Sequence, residues 1–283
     1  MSHPIGGLDH ALILVDAIAG AAAAFEAMGF TISPMGLHSE AKGSANHTIM
    51  FQDDYLEILG ILRPTPLNQE RREALACGGP GLHGLAMRVG DAKAAETAFA
   101  ALGIATGAYS QFTRPVEESS EAGGIARFAT LTFDRSEVPF GLAFMCEHRT
   151  PELVWRPSLS EHANTAIGIG QVVAIRDEPV ADAARLARVF GFDLQEEGAG
   201  SCVLSGRNGG ASIALLSPER FGARFGDVLP ASAPYAACRI RVRRIEAARH
   251  ALRVGSVPFV EGSASLAVPP TGDTGVVIEF VQA

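Results

Sequence analysis

Residues 8–15 read LDHALILV, apolar at nearly every position, and the chain continues as DAIAGAAAAFEAMGF (16–30), where small apolar residues recur at helical spacing. The first stretch predicts a buried strand. The second predicts a helix, with Asp16 placed to cap its start and Gly29 to end it. Two further apolar runs, NHTIMF (46–51) and YLEILGI (55–61), are separated by Gln52, Asp53 and Asp54, the chemistry of a turn between strands.

That order of patterns returns three times. HGLAMRV (83–89) is followed by helical DAKAAETAFAALGI (91–104) and by strand-like RFATLTFD (127–134) and FGLAFMCE (140–147). GQVVAIRD (170–177) is followed by EPVADAARLARVFGF (178–192), SCVLSG (201–206) and ASIALLS (211–217). The fourth copy runs ACRIRV (237–242), IEAARHALRV (245–254), ASLAV (264–268) and GVVIEFVQ (275–282). A βαβββ unit alone leaves one sheet face apolar and uncovered, so two units close side by side to bury it. The pattern therefore predicts an α+β fold of four βαβββ units forming two paired half-barrel domains. The proline-bearing stretch RTPELVWRPSLSEHAN (149–164) is the natural linker, which divides the chain into residues 1–157 and 158–283.

Composition narrows the function classes. The chain has 283 residues, 47% hydrophobic and 19% charged, enough apolar material for two ordinary cores. A formal net charge of -8 without any Lys/Arg-rich run argues against nucleic acid as a partner. No run of apolar residues is long enough to span a bilayer, and MSHPIGGLDH lacks the basic-then-apolar order of a signal peptide, so no membrane is expected and a cytoplasmic location is. The four cysteines stand singly and far apart, as small core residues in a reducing compartment do.

Two polar residues interrupt apolar strands. His10 and Glu57 are costly to bury unless each is paired or bound to a metal, and imidazole with carboxylate suits Zn, Fe, Mn or Ni rather than Ca. Each also has an ordinary reading, a hydrogen-bonded core histidine and a strand-edge glutamate. Paired βαβββ units, with LDHALILVD and YLEILG as first and last strands, resemble the vicinal oxygen chelate superfamily of glyoxalase I, extradiol dioxygenases and bleomycin-resistance proteins. NHTIMFQDDYLEILG (46–60) and PFGLAFMCEHRTPELVW (139–155) are similar to its glyoxalase-like domain family. The resemblance implies a divalent metal held by His10 and Glu57.

Further ligands are ambiguous in the sequence. Gly84 aligns with His10 in the second unit, and His83 ligates only if a bulge beside Gly84 re-aims it. The second unit's last strand offers Glu147 and His148, which point to opposite faces: Glu147 ranks first, as ligand or proton-transfer group by analogy with Glu57, and His148 next, as a substrate-binding residue. His47 alternates with Ile49 and Phe51, as a general acid/base or as a surface histidine at a strand start. Arg88 is placed to clamp a substrate carboxylate or is simply a strand-end charge. In the third and fourth units Gln171 and Cys238 replace His10, and only Glu279 echoes Glu57, which points to a degenerate second site.

The resulting expectation is a metal-dependent enzyme of lyase, isomerase or dioxygenase type acting on a small oxygen-rich molecule. The alternatives are a metal-free small-molecule binding protein of the bleomycin-resistance type and a structural or regulatory module. The resemblance also allows a homodimer.

Overall fold

A computed structural model describes residues 3–116, 123–206, 209–226, 228 and 232–283. Residues 117–122 are among those that fall outside them.

In the N-terminal half the first unit comprises β1 (Ile5–Val15), α1 (Ile18–Ala27), β2 (Gly36–Leu37), β3 (Ser44–Met50) and β4 (Tyr55–Ile61). A helix the pattern does not announce, α2 (Gln69–Gly78), leads to the second unit: β5 (Gly81–Val89), α3 (Ala92–Ala101), β6 (Thr106–Val116), β7 (Gly124–Phe133) and β8 (Leu142–His148). The eight strands form one sheet in the order β2-β3-β4-β1-β5-β8-β7-β6. Within each unit the first and last strands run parallel, β1 with β4 and β5 with β8, and the units meet through the antiparallel β1–β5 pair.

The C-terminal half repeats the scheme with β9 (Ala166–Ile175), α4 (Pro179–Phe190), β10 (Asp193–Glu196), β11 (Ser201–Ser205), β12 (Ser212–Leu216), α5 (Pro218–Phe225), β13 (Ala237–Val242), α6 (Ile245–Val254), β14 (Val260–Glu261), β15 (Ser265–Val268) and β16 (Val277–Gln282). Its sheet order, β10-β11-β12-β9-β13-β16-β15-β14, matches the first, as the fourfold pattern of the sequence requires.

Strand alternation sorts the side chains. Ala11, Ile13 and Val15 of β1, Ile58 of β4 and Met87 of β5 face the helices and join one continuous core with the C-terminal half, where Phe30 stacks on Phe280 at 5.6 Å between centroids. His10, Leu12 and Leu14 face the concave side, where α2 lays Ala74 and Leu75 over the leucines. The halves are further tied by His162, which accepts from the Thr31 amide at 3.0 Å and meets the Met50 carbonyl at 2.8 Å, and by Asp54, which accepts from the Ile169 amide at 2.9 Å.

The N-terminal sheet curls until its outer regions approach. Arg114 of β6 donates to Asn46 of β3 at 3.1 Å, and Lys42, just before β3, places its ammonium 3.1 Å from the centroid of the Phe112 ring on β6. The curl forms a partly open cavity of about 500 Å³. In the C-terminal half α5 occupies the corresponding place. Phe221 and Phe225 pack against Val173, Ala214 and Val277, and Arg224 bonds Gln171 and Glu279 at 2.8 Å each.

Candidate functional site

The site is organised by one irregularity in β1. Leu8 pairs with Met87 and His10 with Ala86, leaving Asp9 as an extra residue without a partner on β5. Such a bulge turns consecutive side chains to one side of a sheet. Leu8 accordingly packs in the helix-facing core, Asp9 and His10 both turn to the concave side, and Ala11 returns to the core.

Asp9 is fully buried and serves three partners. Its Oδ1 accepts from His10 Nδ1 at 2.7 Å and from His148 Nε2 at 2.9 Å, and its Oδ2 accepts from Arg88 Nε at 3.2 Å. His10 is thereby held with Nε2 toward the cavity wall, 3.5 Å from Glu57 Oε2. Glu57 is fixed in turn by Asn46, which donates to Oε1 at 2.6 Å while its own amide oxygen accepts from Arg114. Tyr55 stacks on the His10 ring at 4.4 Å, and Phe144 meets it edge-on at 5.6 Å.

Burial opposes charge on all three titrating groups, and their mutual contacts overcome it. The hydrogen bonds and charges of Asp9 and Glu57 raise His10 to about 9. His10 and His148 hold the Asp9 carboxyl well below the usual carboxylate range, and His10, His38 and the Asn46 amide do the same for Glu57. The Cys146 thiol is pushed up by burial and by the nearby Asp9 and Glu57 charges, which keeps it protonated.

The sequence-derived candidates are only partly brought together. His10 and Glu57 converge on the cavity. His148 lies behind His10, among Tyr55, Phe128 and Trp155, and is occupied by Asp9. Arg88 also joins Asp9, and it donates to the Asp53 carbonyl, so its guanidinium is engaged within the protein rather than free to clamp a ligand.

Three of the candidates lie away from the His10–Glu57 pair. Glu147 points to the helix side of β8, where its Oε2 accepts from the Ala92 amide at 2.9 Å at the start of α3 and its Oε1 pairs with Arg149 at 2.6 Å. His83 does sit at a bulge, since Leu12 pairs with Gly84 and Ile13 with Leu82, but its ring meets the Gly79 carbonyl at 2.7 Å at the end of α2. His47 shares the helix-facing side with Ile49 and bonds the Ser33 carbonyl at 2.7 Å, whereas Ser44, Asn46 and Thr48 line the cavity.

Cross-strand register also identifies the counterparts of the first unit's pair. Glu57 pairs with Leu12, two residues beyond His10, and Phe144 pairs with Ala86, two residues beyond Gly84. The second unit therefore offers Gly84 and Phe144 where the first offers His10 and Glu57. Neither carries a donor.

The donor set accommodates a divalent ion in two places. His10 Nε2 and Glu57 Oε2 are spaced as two ligands of one ion, each oriented from behind as metal-bound histidines and carboxylates are, and they leave further positions open to the cavity. Behind them Asp9, Cys146 and His148 bring an oxygen, a sulfur and a nitrogen within 4.8 Å of one another, a second group able to hold a metal ion. Asp9 and Cys146 did not stand out in the sequence. An aspartate beside a histidine in an apolar strand is the signal that would have marked the bulge.

With fold and site in view, the class is clear. Residues 8–190 match the family described as glyoxalase-like domain, and the chain belongs to that family, within the vicinal oxygen chelate superfamily. No curated protein gives a sequence match. Among solved structures, a hypothetical protein from Staphylococcus aureus is similar at 12% identity, with a TM-score of 0.68 over 98% of this chain and 99% of that one. A mutant of 4-hydroxymandelate synthase from Streptomyces coelicolor is similar at 13% identity, TM-score 0.60, over 99% and 93%. A xylose isomerase-like TIM barrel/4-hydroxyphenylpyruvate dioxygenase fusion protein shares 16% identity, TM-score 0.60, over 99% of this chain and 50% of that one. These likenesses concern the fold. No helix among the described residues is long and apolar enough to cross a membrane.

Proposed function

We propose that the N-terminal half-barrel is the active site of a metal-dependent enzyme acting on a small oxygen-rich molecule, with His10 and Glu57 as the protein ligands facing the cavity. The observation that carries this reading is the 3.5 Å approach of His10 Nε2 to Glu57 Oε2 at the wall of the cavity, with Asp9 behind one and Asn46 behind the other. A divalent ion of the Zn, Fe, Mn or Ni kind, held by His10 and Glu57, would supply Lewis acidity to adjacent substrate oxygens. The chain's own residues orient and protect. Asp9 fixes the imidazole so that Nε2 faces the cavity, and Asn46 leaves one Glu57 oxygen free to bind or to move a proton. Tyr55 and Phe144 flank the pair and keep bulk water from it.

A second reading, a metal-free small-molecule binding protein, is favoured by Gly84 and Phe144, which leave the other wall without ligands. There, a proton takes the place between His10 and Glu57. Elemental analysis of protein purified with and without added Mn, Fe, Ni or Zn separates the two. Near-stoichiometric metal that is lost in both His10→Ala and Glu57→Ala supports the enzyme; its absence after supplementation leaves the binding protein.

A further inference from the structure

Charge in the cavity is unbalanced in a way the His10–Glu57 pair does not explain. Glu57 is matched by His10, and Asp9 by Arg88 and the histidines. At the far rim Glu70 pairs with Arg135 at 3.2 Å, and Asp134 accepts from Ser136 at 2.6 and 2.9 Å. Three cations of the lining remain: Lys42, Arg71 and Arg114. Among the described residues none of them has a carboxylate within ion-pair distance. Lys42 rests only on the Phe112 ring, Arg114 donates only to the neutral Asn46 amide, and Arg71 has a buried Nε with no partner.

Three like charges gathered in a partly desolvated space repel one another unless an anion joins them. The strain registers on Lys42, lowered to about 8 by burial and then by Arg71. It registers also on His38, which bonds Ser44 Oγ at 2.8 Å and is held neutral, near 4, by burial and by the surrounding cations against the pull of Glu57. The lining also carries apolar side chains, among them Leu12, Leu59, Phe128, Phe144 and Val138.

We infer that Lys42, Arg71 and Arg114 form the seat of an acid group, so that the ligand of this cavity is an organic anion with an apolar body, bearing a carboxylate or a phosphate monoester. This deepens the proposed function by naming the substrate class, and it rests on that reading only in taking this cavity as the substrate site. The acid end is held by Lys42, Arg71 and Arg114, and the apolar body packs on the apolar side chains of the lining.

The test is calorimetric titration of the intact protein, at low ionic strength, with benzoate, phenyl phosphate and the uncharged isostere benzamide. Both anions are expected to bind more tightly than benzamide. Lys42→Met and Arg71→Met each weaken anion binding by about fivefold or more and leave benzamide unchanged, and Lys42→Arg restores it. Tighter binding of benzoate assigns a carboxylate, and tighter binding of phenyl phosphate assigns a phosphoryl group. Equal affinity for benzamide, anion binding by the methionine variants as strong as by the wild type, or no binding of either anion overturns the inference. Glu57→Gln and Lys42→Met separate the two proposals: the first is expected to lose metal and keep benzoate binding, the second to keep metal and lose benzoate binding, and failure of either outcome overturns only the proposal that its residue belongs to.

Discussion

Asp9 and His10 are neighbours in the chain and in space, joined side chain to side chain at 2.7 Å on the same side of a strand whose regular alternation would set them on opposite faces. The bulge makes Asp9 the hub of the site, and removing its carboxylate leaves a buried imidazole, a second histidine and an arginine without their acceptor. Asp9→Ala is expected to cost about 3–5 kcal/mol in chemical denaturation. Asp9→Asn, which keeps the shape, is expected to weaken metal retention by about 10–100-fold while the protein stays folded. Unchanged metal retention in Asp9→Asn would remove Asp9 from its orienting role.

The raised His10 gives the protein a pH signature. Its folded value, about 9, lies above the ordinary 6.5, so its contribution to stability is complete below pH 6.5 and is lost as pH rises through about 9. Melting temperatures of chelator-treated protein should fall across that window, and His10→Gln should flatten the fall. A slope that survives the substitution would assign it to another group.

Asp54 predicts a second window at lower pH. Burial raises it from 3.8 to about 7, against the bond from the Ile169 amide, so the folded chain holds a proton the unfolded chain releases. Stability from this group is complete below pH 3.8 and disappears as pH rises through about 7. Asp54→Asn keeps the acceptor for Ile169 and removes the titration, so the variant should gain on the wild type as pH increases toward neutrality. Parallel profiles for the two would refute the assignment.

Glu147 separates position in the sequence from position in the site. As a partner of the first amide of α3, its replacement by alanine is expected to lower stability by about 1 kcal/mol. Metal content and benzoate affinity should not change. Loss of metal in a folded Glu147→Ala protein would return it to the ligand set.

The strands and the polar residues within them differ in how far the sequence reveals them. Apolar runs such as LILV and EILGI carry their period openly, because burial on both faces of a strand leaves no freedom in residue type, and the four repeated units follow from them. His10 and Glu57 were visible for the converse reason, as polar residues that apolar strands exclude. What stayed hidden depends on register. A single unpaired residue in β1 moved Asp9 into the site, and the same device in β5 sent His83 to Gly79. Cys146 and Glu147 are neighbours in sequence, and only the pairing of β8 with β5 shows that the cysteine, not the glutamate, looks inward. Lys42 and Arg71 come from segments without a repeating pattern, before β3 and on α2. Their meeting in one cavity depends on the curl of the whole sheet.

That curl has a mechanical consequence. Between β2 and β6, the two outermost strands, no ladder of backbone hydrogen bonds closes the wall among the described residues. The join is made by side chains, Arg114 on Asn46 and Lys42 on Phe112. The groups that make this join are the same cations inferred to receive the acid end of a ligand, so filling the seat would load the side-chain join and leave the backbone ladders of the sheet as they are.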